Sequence, residues 1–81
     1  MDSPIIGMIK LFPFSYVPRG WAICSGAILT IQSNNALYSL LGVQFGGNGS
    51  TTFGLPDLRG AEPDSNTVFC IATEGLYPER Q

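Results

Sequence analysis

The sequence predicts a small α+β domain, in which several short strands and one short helix are joined by long, ordered loops. Two observations lead to this fold class. Apolar residues recur at helical spacing over residues 34–41 only, and elsewhere they form the short runs that are typical of strands. Glycine and proline are frequent between these segments, and 81 residues suffice for one domain with a small core.

The first predicted strand covers residues 5–12, and it is apolar on both faces. The residues of one face are Ile5, Ile9 and Leu11, and those of the other are Ile6, Met8 and Phe12. A strand of this kind is buried on both sides, either by its own fold or by a partner.

Three further strands are predicted. Arg19 and Gly20 turn the chain into a second strand over residues 21–24, and residues 27–31 are a candidate third strand. The last strand is predicted over residues 67–72, after the glycine-rich part of the chain.

The helix is predicted over residues 34–41. Its core-facing stripe consists of three leucines at the spacing i, i+3, i+4, namely Leu37, Leu40 and Leu41. Ser33 is a better N-cap candidate than Gln32, because its hydroxyl can accept a hydrogen bond from an unpaired backbone N–H. Gly42 stands where a residue with positive φ ends a helix. A helix this short is stable only when packed.

Residues 45–60 combine backbone-special residues with apolar anchors. The first set is Gly46, Gly47, Gly49, Gly54, Pro56 and Gly60, and the second is Phe45, Phe53, Leu55 and Leu58. A flexible linker lacks such anchors. We therefore expect an ordered loop beneath which Phe53, Leu55 and Leu58 are buried, and this favours a recognition or assembly module over an enzyme.

Three stretches together resemble the phage tail collar domain, most closely the group named after microcystin-dependent protein. They are residues 17–26 (VPRGWAICSG), 34–42 (NNALYSLLG) and 45–60 (FGGNGSTTFGLPDLRG), and they follow an apolar N-terminal strand as in that group. Residues 69–80 (FCIATEGLYPER) resemble the segment that closes many of its members. The residues that match the structural motifs are Arg19, Gly20, Trp21, Gly46, Gly47, Gly49, Phe53, Pro56, Asp57, Arg59 and Gly60.

The resemblance implies one tail collar-like domain over residues 1–81, acting as a structural or assembly subunit of a phage tail or phage-like contractile injection particle. It implies a tail fibre or tail tip location, assembly in the cytoplasm and release to the outside. The implied partners are other copies, with a trimer favoured, other tail or fibre proteins, and a cell-surface glycan receptor. Two alternatives stay open: a cell-surface adhesin or carbohydrate-binding module, and a self-assembling filament subunit.

The chain departs from longer members of the group in one respect. Only residues 61–67 join Gly60 to Val68, where the longer members have an extended region. Receptor-binding elaborations are usually placed in that region, so the resemblance supports an assembly role more than receptor recognition. Longer tail-fibre relatives also carry metal-binding His motifs there, which this sequence lacks.

Low charge also favours contacts between chains. Charged residues make up 12% of the sequence, about half of the usual ~25%. We expect the strand over residues 5–12 and the segment over residues 69–77 to contribute to an interface. The candidate interface residues are Ile6, Met8, Phe12, Tyr16, Tyr38 and Tyr77.

Cys24 and Cys70 are predicted to be reduced thiols that pack as small apolar side chains. Each has apolar neighbours, and the N-terminal segment lacks the leading positive charges of a signal peptide. A disulfide would require adjacent strands, which the sequence does not settle.

Several functional classes are not indicated by the residues. The chain has no histidine, so no Ser-His or Cys-His arrangement is available, and no catalytic residue, metal ligand or cofactor is expected. Asp57 is expected to pair with Arg59 rather than to act as an acid–base group. Residues 46–51 lack the lysine of a phosphate-binding loop. The net charge of −2 and scattered basic residues argue against nucleic-acid binding, and no run is long enough for membrane insertion.

Overall fold

The computed structural model describes residues 4–78, which form five short strands and one helix. In chain order the elements are β1 (Ile9–Pro13), β2 (Trp21–Ile23), β3 (Ile28–Thr30), α1 (Asn35–Leu41), β4 (Thr52–Gly54) and β5 (Thr67–Ala72). The strands form two antiparallel sheets, one with the order β1-β5-β2 and one with the pair β3-β4. The predicted fold class is therefore confirmed.

Strand β5 is the centre of the larger sheet, and both of its faces are covered. Ile71 lies in the main core, and Phe69 on the same face packs against that core. The opposite face carries Val68, Cys70 and Ala72, all of them buried.

Phe12 and Trp21 cover this second face of β5. Phe12 pairs with Val68 and Trp21 pairs with Ala72, so both rings project from the same side of the sheet. Their centroids are 4.9 Å apart at an angle of 73°, in the edge-to-face arrangement that aromatic pairs favour. Trp21 is thus a packing residue of the sheet.

The main core lies between the larger sheet, the β3–β4 pair and α1. Its buried members are Ile6, Cys24, Leu37, Phe53, Leu55 and Ile71. The ring of Tyr38 meets that of Phe53 edge-on at 5.4 Å. The expectation that Phe53 and Leu55 are buried is confirmed, whereas Leu58 is only half-buried and packs at the margin.

The prediction of a strand over residues 5–12 was wrong at its beginning. Ile6 and Gly7 form a turn, in which the N–H of Met8 donates to the C=O of Ile5 at 2.9 Å and Gly7 has φ 90°. Strand β1 therefore begins only at Ile9. The turn directs Ile6 into the core, and β1 itself is mostly exposed rather than buried on both faces.

The helix differs from its prediction in three details. It begins at Asn35, so Asn34 and not Ser33 holds the N-cap position, and no side chain caps it. The Asn34 side chain instead donates to the C=O of Thr30 at 3.0 Å. Gly42 has the positive φ that was expected, but Leu40 is partly exposed and does not belong to the core stripe.

The other strands compare well with the sequence predictions. Strand β5 has the predicted bounds, β2 ends one residue early, and β3 is shorter by one residue at each end. Strand β4 lies inside residues 45–60, for which the sequence predicts an ordered loop and no strand. Residues 79 and 80, at the end of the closing segment, lie outside the described residues.

Candidate functional site

Residues 45–60 make backbone contacts that only glycine permits. A Cβ atom at Gly47 would overlap the backbone of Thr52 and Phe53, and one at Gly54 would overlap the C=O of Phe45. Gly47 also has φ 91°, which side chains rarely adopt. The loop therefore folds against β4 at backbone distance, and its glycines are structural.

Asn48 organises the tip of this loop with its side chain. Its Oδ1 atom accepts hydrogen bonds from the N–H groups of Ser50, Thr51 and Thr52 at 2.8, 2.8 and 3.1 Å. These are the backbone donors that a phosphate-binding loop would offer to an anion. Because Asn48 occupies them, the loop is a closed turn and not an anion cradle.

Asp57 and Arg59 form an exposed ion pair at the end of the loop. The Arg59 Nε and Nη2 atoms donate to the two Asp57 oxygens at 2.9 and 2.7 Å, and the Arg59 backbone N–H donates at 3.2 Å. These hydrogen bonds lower the pKa of Asp57 from 3.8 to about 2. An acid held in this way stays ionised at neutral pH, as the structural interpretation requires.

The turn at residues 19–21 anchors the end of β5. The C=O of Gly20 accepts from the N–H of Thr73 at 2.7 Å and from its hydroxyl at 3.0 Å, and Gly20 has φ 87°. Arg19 is exposed beside this contact. Of the remaining motif residues, Pro56 is buried, and Gly60 is exposed and has φ 92°.

The six candidate interface residues lie in different environments. Ile6 is buried and Phe12 is half-buried against Trp21, so neither presents a free side chain. Tyr38 is also half-buried, and its hydroxyl donates to the C=O of Gly49 at 3.3 Å. Met8, Tyr16 and Tyr77 are exposed.

Exposed apolar side chains are carried by three segments that contact each other, namely residues 5–8, the end of α1 and residues 76–77. We call this set the terminal apolar surface, and its members are Ile5, Met8, Leu40, Leu76 and Tyr77. Ile5 and Leu76 pair in a parallel bridge, and Leu40 lies against Gly7. The hydroxyls of Ser39 and Tyr77 share a hydrogen bond of 2.6 Å, which fixes the tyrosine to the helix. Leu76 is 61% exposed and Tyr77 52%.

A depression of about 250 Å³ has both apolar and charged residues in its lining. Phe14, which is 66% exposed, and Ile23 form its apolar wall, and Arg59, Glu62, Asp64 and Ser65 form its polar side. One oxygen of Glu62 accepts from the N–H of Gly60, and one of Asp64 accepts from that of Asn66. The second oxygen of each carboxylate remains available to a ligand.

The two cysteines are buried and are not bonded to each other. Ile23 pairs with Cys70, so Cys24, one residue further along, points to the other face of the sheet. Burial, with a smaller contribution from Cys70, raises the pKa of Cys24 to about 11, and burial also raises that of Cys70. Both thiols are inert packing groups in this fold.

Among residues 4–78 there is no cluster of side chains that could hold a metal ion. Within the same residues no helix is long and apolar enough to cross a membrane.

The fold and its surfaces are those of a structural module, in which close backbone contacts and apolar side chains are the prominent features. The sequence model of the Phage Tail Collar Domain matches residues 7–63, and the chain belongs to this family. The family is structural and not catalytic, and membership implies a structural role in a phage tail or tail fibre. No significant match was found among curated proteins or among solved structures.

Sequence reasoning missed two features of these surfaces. Asn48 was read only as part of a turn signal, although an Asx side chain that is followed by small polar residues often bonds the backbone ahead of it. Leu40 was predicted in the core stripe and not at an interface, because its exposure depends on how distant segments meet, whereas Leu76 lies in the closing segment that was expected to contribute to contacts.

Proposed function

We propose that this chain is a structural subunit of a phage tail or phage-like contractile injection particle, placed at a tail fibre or tail tip. Its role there is to join copies of itself and neighbouring tail proteins. The observation that carries the proposal is the terminal apolar surface, in a chain that belongs to a tail family.

The terminal apolar surface supports association because its own fold leaves it uncovered. Its five apolar side chains are exposed on segments that contact each other, and exposed apolar patches mark interaction sites. Among the described residues, the charged side chains nearest to it along the chain are Lys10 and Glu74, each two positions from one of its members, and no member is itself charged. Covering such a surface with another copy removes apolar area from water without burying charge.

A trimer is the assembly that we propose, by resemblance to proteins that work in fibres. The mass of the purified protein in solution tests this proposal, since one copy has a mass of 8.7 kDa and a trimer has three times that mass. Met8→Asp places a charge in the terminal apolar surface and should abolish the oligomer. Asp64→Lys changes charge at an exposed position away from that surface and serves as the matched control.

Phe12 is a poor position for this test, although it was a candidate interface residue. Its ring packs on Trp21, so Phe12→Asp would damage the fold as well as any contact. A wild-type chain that stays monomeric at high concentration, together with failure of specific antibodies to label tails in electron micrographs, would overturn the proposed function.

Attachment to a cell-surface glycan is a further part of the proposal. The depression beside Phe14 supports it, because sugars bind shallow sites that offer an aromatic ring and carboxylate acceptors. Chemical-shift mapping with neutral oligosaccharides should move resonances of Phe14 and Ile23. Phe14→Ala should abolish these shifts, and Tyr16→Ala, an equally exposed aromatic outside the depression, should leave them unchanged.

A further inference from the structure

The tip of the loop of residues 45–60 contains an asparagine that is followed by a glycine, namely Asn48 and Gly49. In such a pair the backbone nitrogen of the second residue can attack the side-chain amide of the first. Glycine has no side chain to shield that nitrogen. The chain has three other asparagines, and each of them is followed by a residue that carries a side chain.

The reaction of this pair is deamidation, and water is its co-reactant. The Gly49 nitrogen loses its proton and attacks Cγ of Asn48, so that a new C–N bond forms and a succinimide ring closes. The bond from Cγ to Nδ2 breaks, and Nδ2 takes up a proton and leaves as ammonia. Water then opens the ring at either carbonyl carbon, which leaves aspartate or isoaspartate at position 48.

In the folded loop every reacting group of this pair is held by hydrogen bonds. The N–H of Gly49 donates to the C=O of Thr52 at 3.0 Å, and Nδ2 of Asn48 donates to Oγ1 of Thr51 at 3.1 Å. The Asn48 Oδ1 atom accepts from the N–H groups of residues 50–52. Ring closure would break these hydrogen bonds, so the folded loop opposes the reaction.

The three bonds to Oδ1 also have an effect in the opposite direction. They polarise the Asn48 carbonyl, as donors do in an oxyanion hole, and this favours attack on Cγ. The attacking nitrogen decides between the two effects, because its N–H donates to Thr52 and has to give up that bond before it can react. We therefore expect the reaction in chains whose loop has opened.

The two products differ in whether they fit the closed loop. Isoaspartate adds one carbon atom to the backbone next to Gly47, where even a Cβ atom would overlap the backbone of Thr52 and Phe53. Aspartate keeps the backbone length and an oxygen for the three N–H donors, and its charge strengthens those hydrogen bonds. The isoaspartate chain thus cannot rebuild the tip, whereas the aspartate chain can.

We propose that Asn48 and Gly49 form a latent deamidation site, which reacts when the loop opens and whose isoaspartate product keeps the loop from closing again. The hydrogen bonds at the tip then preserve Asn48 as well as the shape of the loop. A chain that has opened for long enough carries a permanent covalent change. This inference goes beyond the proposed function and does not depend on it.

Peptide mapping by mass spectrometry tests the site, after incubation of the chain in mildly alkaline buffer with and without urea. In urea, Asn48 should deamidate faster than Asn34 and Asn66, because the residues after those two carry side chains. Without urea, the rate at Asn48 should be lower by about tenfold or more, since a reaction of the opened state follows its population. An equal or higher rate in the native chain would overturn the proposal.

A pair of threonine variants tests whether the hydrogen bonds of the tip provide the protection. Thr52→Val removes the Oγ1 atom that accepts from the Asn48 N–H at 3.1 Å. It should raise the native rate of deamidation and leave the rate in urea unchanged. Thr30→Val, at the cross-strand partner of Thr52, leaves the contacts of Asn48 in place and is the matched control. Equal native rates in the two variants would contradict protection by these bonds.

The two products are compared by their thermal midpoints. Asn48→Asp reproduces the aspartate product and should have a midpoint close to that of the wild type. The isoaspartate chain, separated by chromatography after incubation in urea, should have a lower midpoint after the urea is removed. Equal midpoints for the two chains would overturn the inference that isoaspartate keeps the loop open.

Discussion

The loop of residues 45–60 and the terminal apolar surface are organised in opposite ways. In the loop, glycines let two backbone segments approach each other closely, and the Asn48 side chain accepts hydrogen bonds from the backbone N–H groups at the tip. These N–H groups therefore need no partner from another molecule. In the terminal apolar surface, apolar side chains from three segments meet and stay exposed. The loop thus stabilises the fold of its own chain, whereas the terminal apolar surface is left uncovered by that fold. Substitutions should change stability in the first region and association in the second.

The largest contrast is expected from the removal of an apolar side chain in each region. Phe53→Ala should lower the free energy of unfolding by about 3–5 kcal/mol, because Phe53 is fully buried beneath the loop. Leu76→Ala, at an exposed position of the terminal apolar surface, should change it by no more than about 0.5 kcal/mol. Urea unfolding of the two variants measures both values, and similar losses would contradict the division of roles.

Two glycines sharpen the account of the loop. Gly47→Ala combines a positive φ with backbone overlap and should cost about 2–4 kcal/mol. Gly60→Ala has the same strain in φ but no atom within 4 Å of the added methyl group, so it should cost about 1–2 kcal/mol. Thermal unfolding compares the two variants. An equal loss of stability would show that the close approach of Gly47 to the β4 backbone contributes nothing.

The reactivity of the two thiols tests whether they are as inaccessible in solution as they are in the structure. Cys24 and Cys70 should react with iodoacetamide only after denaturation, since burial raises the pKa of both. Mass spectrometry should then find two modified thiols. A native mass that is short by two hydrogens, with no alkylation after denaturation, would contradict both the reduced state and the placement of the thiols on opposite faces.

The smallest effect is expected from the ion pair at the end of the loop. Because the pKa of Asp57 is lowered, its contribution to stability is complete above pH 3.8 and is lost as the pH falls through about 2. The pair is exposed, so the contribution is small. Asp57→Asn and Arg59→Gln should both reduce the fall of the thermal midpoint at acid pH. An unchanged pH dependence in both variants would contradict this assignment.

The sequence predicted those parts of the fold that depend on local pattern. Strand β5 was placed correctly because an unbroken apolar run flanked by turn residues is typical of a strand covered on both faces. The helix was found from its leucine spacing. Strand β4 was missed because three residues beside glycines resemble a turn, and only its pairing with β3 makes them a strand.

The surfaces were less predictable, because they depend on contacts between distant segments. Ile6 and Met8 were placed on one face of a strand, but the turn at Gly7 sends Ile6 into the core and leaves Met8 outside. Tyr77 was a candidate interface residue, and nothing in its local sequence indicated the hydrogen bond to Ser39. The placement of the interface in an assembly stays a prediction.

The parallel bridge between Ile5 and Leu76 determines how the domain would respond to mechanical tension. The N–H of Ile6 donates to the C=O of Leu76, and the N–H of Leu76 donates to the C=O of Pro4, both at 2.8 Å. The two segments run in the same direction, so a force applied at Pro4 and Pro78 pulls them past each other. Both hydrogen bonds are then loaded in shear at once, instead of opening one after the other. The sheets behind the bridge carry no load until it yields, and its rupture rate sets the resistance of the module to forced unfolding.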